Sequence, residues 1–299
     1  MKLKHLIDRV AGQPKKTVAV AVAEDLEVIE AVAKAIQLQL AQFRLYGNQE
    51  TIMGMLQEHG LQASEDLEVI AASSDGEAAE LSVKAVRNGE ADVLMKGNIP
   101  TASILKAVLN KEWGLRKGGV LSHVAAFEIP NYDRFIFVTD AAMNIAPDVQ
   151  QKAAIIQNTV EVARAIGIEL PKVAPIAAVE VINPAMQVTI DAAMLTQMNR
   201  RGQIKDCVVD GPLALDNAVS QIAAEHKGIV SDVAGKADIL LVPTIEAGNV
   251  LYKSLVYFAN ANVGAMIAGA KAPIVLTSRA DSAETKVYSL ALAVATASK

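Results

Sequence analysis

Ala91-Asp92-Val93-Leu94-Met95-Lys96-Gly97-Asn98-Ile99-Pro100-Thr101 contains the repeating pattern from which the rest of the chain is read. An aliphatic run without polar alternation reads as a strand buried on both faces, as parallel strands are. It closes on Lys96 and Gly97, and Thr101 is placed to cap the helix that follows. Strand, polar turn and helix together make half of a βαβ unit.

Outward from this stretch the pattern recurs. Strands are expected at 17–23, 67–71, 134–139, 173–179, 206–210, 238–242, 263–268 and 273–277, beside the one at 92–96. Helices are expected at 25–42, 76–88, 148–166, 185–199 and 248–260. Such alternation implies an α/β fold with a mainly parallel sheet, and right-handed crossovers then place helices on both faces. Pro147 precedes an acidic first turn at Asp148, and Asp281 with Glu284 has the spacing of a capping box. The turn-rich segment Glu128-Ile129-Pro130-Asn131-Tyr132-Asp133 suggests a domain boundary near 128–134.

The composition supports this reading. Among 299 residues 52% are hydrophobic and only 4% aromatic, so the core is aliphatic. Net charge is −5 with signs interspersed, and no basic arm suggests nucleic acid as a partner. The single cysteine, Cys207, excludes an internal disulfide and lies in an apolar run, where a buried structural thiol is expected. Four scattered histidines form no zinc pattern. The first residues lack the uninterrupted apolar run of a signal peptide, and no stretch is long enough for a membrane span. A cytoplasmic protein without membrane partners is therefore expected.

In open parallel sheets, ligands bind beyond the carboxyl ends of the strands. There the sequence places Lys96-Gly97-Asn98, Asp140-Ala141-Ala142-Met143-Asn144, Asp210-Gly211-Pro212, Pro243-Thr244-Ile245-Glu246-Ala247-Gly248-Asn249 and Ser278-Arg279-Ala280-Asp281. Lys96 is poised to meet an anion, Gly97 to let backbone approach a phosphate, and Thr101 to donate a hydrogen bond. Arg279 offers a planar fork suited to phosphate, with the Ser278 hydroxyl beside it. Neither a nucleophile-elbow serine nor a glycine-rich nucleotide loop is present.

With these segments in this order, the sequence resembles the phosphate acyltransferase family, the phosphate acetyl- and butyryltransferases. Its phrasing is nearer the butyryltransferase branch, through Ser278-Arg279-Ala280-Asp281-Ser282-Ala283-Glu284-Thr285-Lys286. The resemblance implies a two-domain fold like that of isocitrate/isopropylmalate dehydrogenases. It places residues 1–128 with 270–299 in one domain and 129–269 in the other, with the active-site cleft between them. It also implies reversible acyl transfer between coenzyme A and inorganic phosphate, with coenzyme A as a substrate and no tightly bound cofactor. A homo-oligomer is implied as well. Ser278 would steady the developing oxyanion or thiolate and Arg279 would hold phosphate. Glu284 is the candidate base, because Thr285 stands where the acetyl branch carries its aspartate. Lys106 stands where that branch has an arginine. Substrate contacts are expected from Lys96, Asn98, Thr101, Lys106, Asp140, Asn144, Asp210 and Asn249.

Other readings remain to be weighed. Phosphate acetyltransferase keeps the chemistry and changes the acyl group. A metal- and NAD-dependent dehydrogenase would need clustered aspartates and a tyrosine–lysine pair, and Asp140 and Asp210 stand isolated. A non-catalytic acyl-CoA-binding oligomer would have little use for Ser278-Arg279 at a strand end.

Overall fold

An amphipathic helix, α1 (Leu3–Ala11), buries Leu3, Leu6, Ile7 and Val10 ahead of the first strand of the computed structural model, β1 (Lys16–Ala21). The structure describes residues 2–276 and 281–297. Asp25 caps α2 (Leu26–Gln37) by accepting a hydrogen bond from Val28 N at 3.0 Å. Then follow β2 (Ala41–Gly47), α3 (Gln49–Glu58), β3 (Leu67–Ala71), α4 (Asp75–Arg87), β4 (Val93–Lys96) and α5 (Thr101–Val108). Next come β5 (Ser122–Glu128), β6 (Phe135–Thr139), α6 (Val149–Ala165), β7 (Lys172–Pro175), α7 (Gln187–Arg200) and β8 (Val208–Val209). They are followed by α8 (Leu215–Val219), α9 (Gln221–His226), β9 (Ile239–Leu241) and α10 (Ile245–Tyr257). Last are β10 (Asn262–Ala268), β11 (Ile274–Val275) and α11 (Ala283–Thr296).

Residues 3–119 with 264–299 form one compact unit and residues 120–263 the other. In the first the strand order is β3-β2-β1-β4-β11-β10, parallel except where β10 meets β11 at Ile267 and Ile274. Val93, Leu94 and Met95 of β4 are wholly buried, as the aliphatic run requires. In the second unit the order is β5-β6-β9-β7-β8, parallel except for β5. The fold is thus α/β and mainly parallel, as the alternation of runs predicts.

Four local expectations are corrected. The helix expected over 25–42 stops at Gln37, because Gln39 turns to φ 55° and the chain re-enters the sheet as β2. Residues 128–134 form the bend of a β5–β6 hairpin, with Glu128 paired to Phe135. Asp148 is the cap of α6 rather than a first-turn residue, and its box closes with Gln151. At α11 the cap is Ser282, which accepts from Thr285 N at 3.2 Å, so Asp281 and Glu284 form no box. Among the described residues no helix is long and apolar enough to cross a membrane.

Candidate active site

In the first unit the carboxyl edge is assembled by backbone contacts. Gly97 N donates to Ala21 O at 2.9 Å and Asn98 N to Val22 O at 2.6 Å, tying the β4–α5 turn to the end of β1. A Cβ on Gly97 would stand 2.0 Å from Val22 O and 2.8 Å from Ala21 O. The glycine is therefore demanded by a neighbouring strand, which is a different reason from the phosphate approach expected of it. Lys96 is buried, and its Nζ donates to Gly97 O at 3.0 Å. Thr101 is the first helical residue of α5 and exposed; Pro100 holds the cap position with no side-chain bond, so Thr101 does not cap. Asn98 and Lys106 are exposed, and Lys106 lines a cavity of about 620 Å³ with Ser103, Asn110 and Trp113.

In the second unit Asp140 follows β6 and is 3% exposed. Its Oδ1 accepts from Ala142 N and Met143 N, each at 2.9 Å, and its Oδ2 from Asn144 Nδ2 at 2.6 Å. Asn144 Nδ2 also donates to Leu121 O at 2.8 Å. An aspartate used this way folds its own loop, as short polar side chains after strands commonly do. On the adjacent strand, the turn after β9 leads into α10, whose Gly248 packs against this loop. A Cβ there would lie 2.7 Å from Asp140 O. Asn249 beside it is exposed. Asp210 follows β8, with β9 and β7 separating that strand from β6, and borders a cavity of about 420 Å³ with Glu180 and Lys227.

The expected residues thus fall into separate groups: Lys96, Asn98, Thr101 and Lys106 after β4; Asp140, Asn144 and Asn249 after β6 and β9; Asp210 after β8. Ser278 and Arg279 lie outside the described residues. Glu284 is exposed in the first turn of α11 and accepts from the Tyr288 hydroxyl at 2.9 Å.

Three groups carry no expectation from sequence. Glu24, just beyond β1, accepts from Asn48 N at 2.5 Å, and its buried Oε2 has no hydrogen-bond partner among the described residues. Lys152 and Asp191 form a buried ion pair at 2.6 Å beside a cavity of about 530 Å³, with Gln187 Nε2 donating to the same carboxylate. Lys286 is fully buried, holding Asp281 O and Glu27. Nothing in the sequence signals them, since Asn48, Asp191 and Glu27 each lie 24 or more residues from the side chain they meet. Among the described residues no group of three or more His, Cys, Asp or Glu side chains could hold a metal ion.

Residues 76–294 match the phosphate acetyl/butaryl transferase family. The chain belongs to that family. It is an acyltransferase. A "Probable phosphate butyryltransferase" of Bacillus subtilis (strain 168) is 58% identical over 98% of this chain and 97% of that one. The solved branched-chain phosphotransacylase of Enterococcus faecalis V583 is 37% identical, with a TM-score of 0.84 over 94% of this chain and 99% of that one. A 4-hydroxythreonine-4-phosphate dehydrogenase of Burkholderia phymatum is only 12% identical. It shares the fold, with a TM-score of 0.57 over 96% of this chain and all of the other.

Proposed function

We propose that this acyltransferase moves a butyryl or branched short-chain acyl group reversibly between coenzyme A and inorganic phosphate. The observation that carries the reading is positional. Lys96 ends β4 with Gly97 after it, Asp140–Asn144 and Asp210-Gly211-Pro212 directly follow β6 and β8, and Glu246–Asn249 open α10 beyond β9. All stand at or past the carboxyl ends of strands in parallel pairs, where open sheets bind ligands. In the direction of acyl phosphate formation, a phosphate oxygen attacks the thioester carbonyl. The C–S bond breaks, the thiolate leaves, and an acyl–oxygen–phosphorus link forms. No metal enters this scheme; positioning two anions and stabilising the developing oxyanion supply the rate.

In the proposed arrangement Arg279 holds phosphate by its fork and Ser278 donates to the oxyanion. Glu284 takes the thiol proton in the reverse direction. Lys106 and the exposed amides of Asn98 and Asn249 meet the coenzyme. Lys96 acts indirectly by holding the turn that carries Asn98, and Asp140 and Asn144 by shaping the loop against which Gly248, next to Asn249, packs. Acyl length is set by apolar residues at the site, where one methylene is worth about 1–3 kcal/mol.

The protein is further proposed to be a cytoplasmic homo-oligomer assembled through α10. That helix buries only Gly248, and leaves Val250, Tyr257 and the adjoining Phe258 in solvent.

The test is phosphate-dependent release of coenzyme A thiol from acetyl-, butyryl- and isobutyryl-CoA, by native protein and Arg279→Ala. Butyryl or isobutyryl turnover that requires phosphate, survives EDTA and falls at least about 100-fold in the variant supports the reading. Preference for acetyl-CoA moves the protein to the acetyltransferase branch. No thiol release from any donor overturns the proposal.

A further inference from the structure

Lys152 of α6 and Asp191 of α7 pair at 2.6 Å, with side chains only 7% and 11% exposed. Both line the cavity of about 530 Å³, which lies wholly within residues 120–263. Its walls are the start of α6, one face of α7, and Pro243-Thr244 after β9. β6 and β9 run parallel, and the loop after β6 leads into α6. The cavity thus stands at the carboxyl edge of a parallel pair, where open sheets bind ligands.

The hydrogen-bonding capacity of the pair is unequally used. Asp191 Oδ2 accepts from Lys152 Nζ and Oδ1 from Gln187 Nε2 at 2.8 Å, so both oxygens are engaged. A lysine ammonium has three N–H donors. Among the described residues, Asp191 is the one acceptor that Lys152 meets. A buried ion pair adds little stability by itself, since apolar residues of similar volume commonly serve as well. The pair is better explained by what the remaining donors can hold.

Charge and lining select the occupant. Asp191 offsets Lys152, and Asp148 adds a negative charge to the wall, so an anion is disfavoured. The α6 N-terminus offers no attraction either, being closed by the Asp148–Gln151 box. A cation would meet the ammonium. What fits is an uncharged acceptor, a carbonyl oxygen, on an aliphatic body packed against Pro147, Val149, Val188, Met194 and Pro243.

We propose that this cavity binds an uncharged aliphatic amide or ester, with Lys152 donating to its carbonyl oxygen. Neither member of the pair takes part in the acyl transfer set out above, and binding is read without turnover. The site therefore stands or falls independently of that reading.

The test is titration calorimetry of the native full chain with N-butylbutyramide and with octanoate, its anionic counterpart of similar size. The amide should bind once per chain, at least about tenfold more tightly than octanoate. Lys152→Met with Asp191→Leu keeps the volume and removes both charges. In that double variant the Kd for the amide should rise at least about tenfold, the scale of one charge-assisted hydrogen bond. Its thermal midpoint reports folding. If it does not fold, Val188→Phe, at a part-exposed wall position, should weaken the amide by a similar factor by filling the cavity.

A water-filled cavity only, seen as no saturable heat from the amide, overturns the proposal. So does equal affinity for octanoate, or a Kd for the amide that a folded variant leaves unchanged.

Discussion

Cys207 sits in a pocket of its own unit at 8% exposure, with Asn199 Nδ2 3.7 Å from its sulfur. Burial pushes its thiol up to about 12 from 9.0, with the charge of Asp206 adding to the effect. A raised value in the folded state means that this group's contribution is complete below about pH 9. It is lost as pH climbs toward 12. Two outcomes are expected. At pH 8 native Cys207 should react with a disulfide reagent at least ~100-fold more slowly than in urea, because the thiolate is the nucleophile. Between pH 9 and 12 a Cys207→Ala variant should lose stability less steeply than native, followed by denaturant midpoints.

The inert thiol was legible in its apolar run. The role of Asp140 was not, because an aspartate after a strand reads alike whether its oxygens face a ligand or its own backbone. Here they are taken by Ala142, Met143 and Asn144. Lys286 was invisible as well, since nothing in a helical sequence tells whether a lysine meets solvent or a carbonyl five residues back.

At the level of elements, the β4–α5 turn is the least tolerant place in the first unit. The atom facing Gly97 is the Val22 carbonyl, which belongs to a strand end and cannot rotate away. Gly97→Ala should cost about 3 kcal/mol in urea unfolding, the upper range for overpacking. Gly54, in α3 with nothing within 4 Å, is the control; alanine there should gain roughly 0.5–1 kcal/mol. Equal losses at both positions would remove the steric account of Gly97.

Elements with an unbroken aliphatic run or a clear helical stretch were readable in advance, as β4 and α6 show. Boundaries went astray where a single residue changed the backbone. Gln39 at φ 55° and Asp206 at φ 60° cut a helix and a strand short; glutamine gives no sign of such a turn, and aspartate tolerates it without requiring it. β2 was overlooked although residues 41–45 alternate buried and part-buried, because the helix before it has the same aliphatic composition.

For the whole molecule, the α/β class was available from sequence through the alternation of aliphatic runs and amphipathic stretches. The self-association proposed above was implied by the family resemblance, and the sequence named no surface for it. The exposure of Val250, Tyr257 and Phe258 favours a second copy of the chain. Light scattering should then give a multiple of 31.6 kDa, and Val250→Glu should reduce it toward that value. A native mass of 31.6 kDa would count against the α10 surface.

One further consequence follows from the first unit's being written in two pieces. β11 lies between β4 and β10 in its sheet, yet it is encoded after the whole of residues 120–263. At about 5–20 residues added per second, the ribosome finishes that intervening segment roughly 7–29 s after residue 119. During this interval β4 has an open edge, with Val93, Leu94 and Met95 waiting for a neighbour. The unit translated second can be complete before the one translated first. The nascent chain thus passes through a stage in which an aliphatic strand edge is exposed, and a chaperone that shields such edges would find its substrate there.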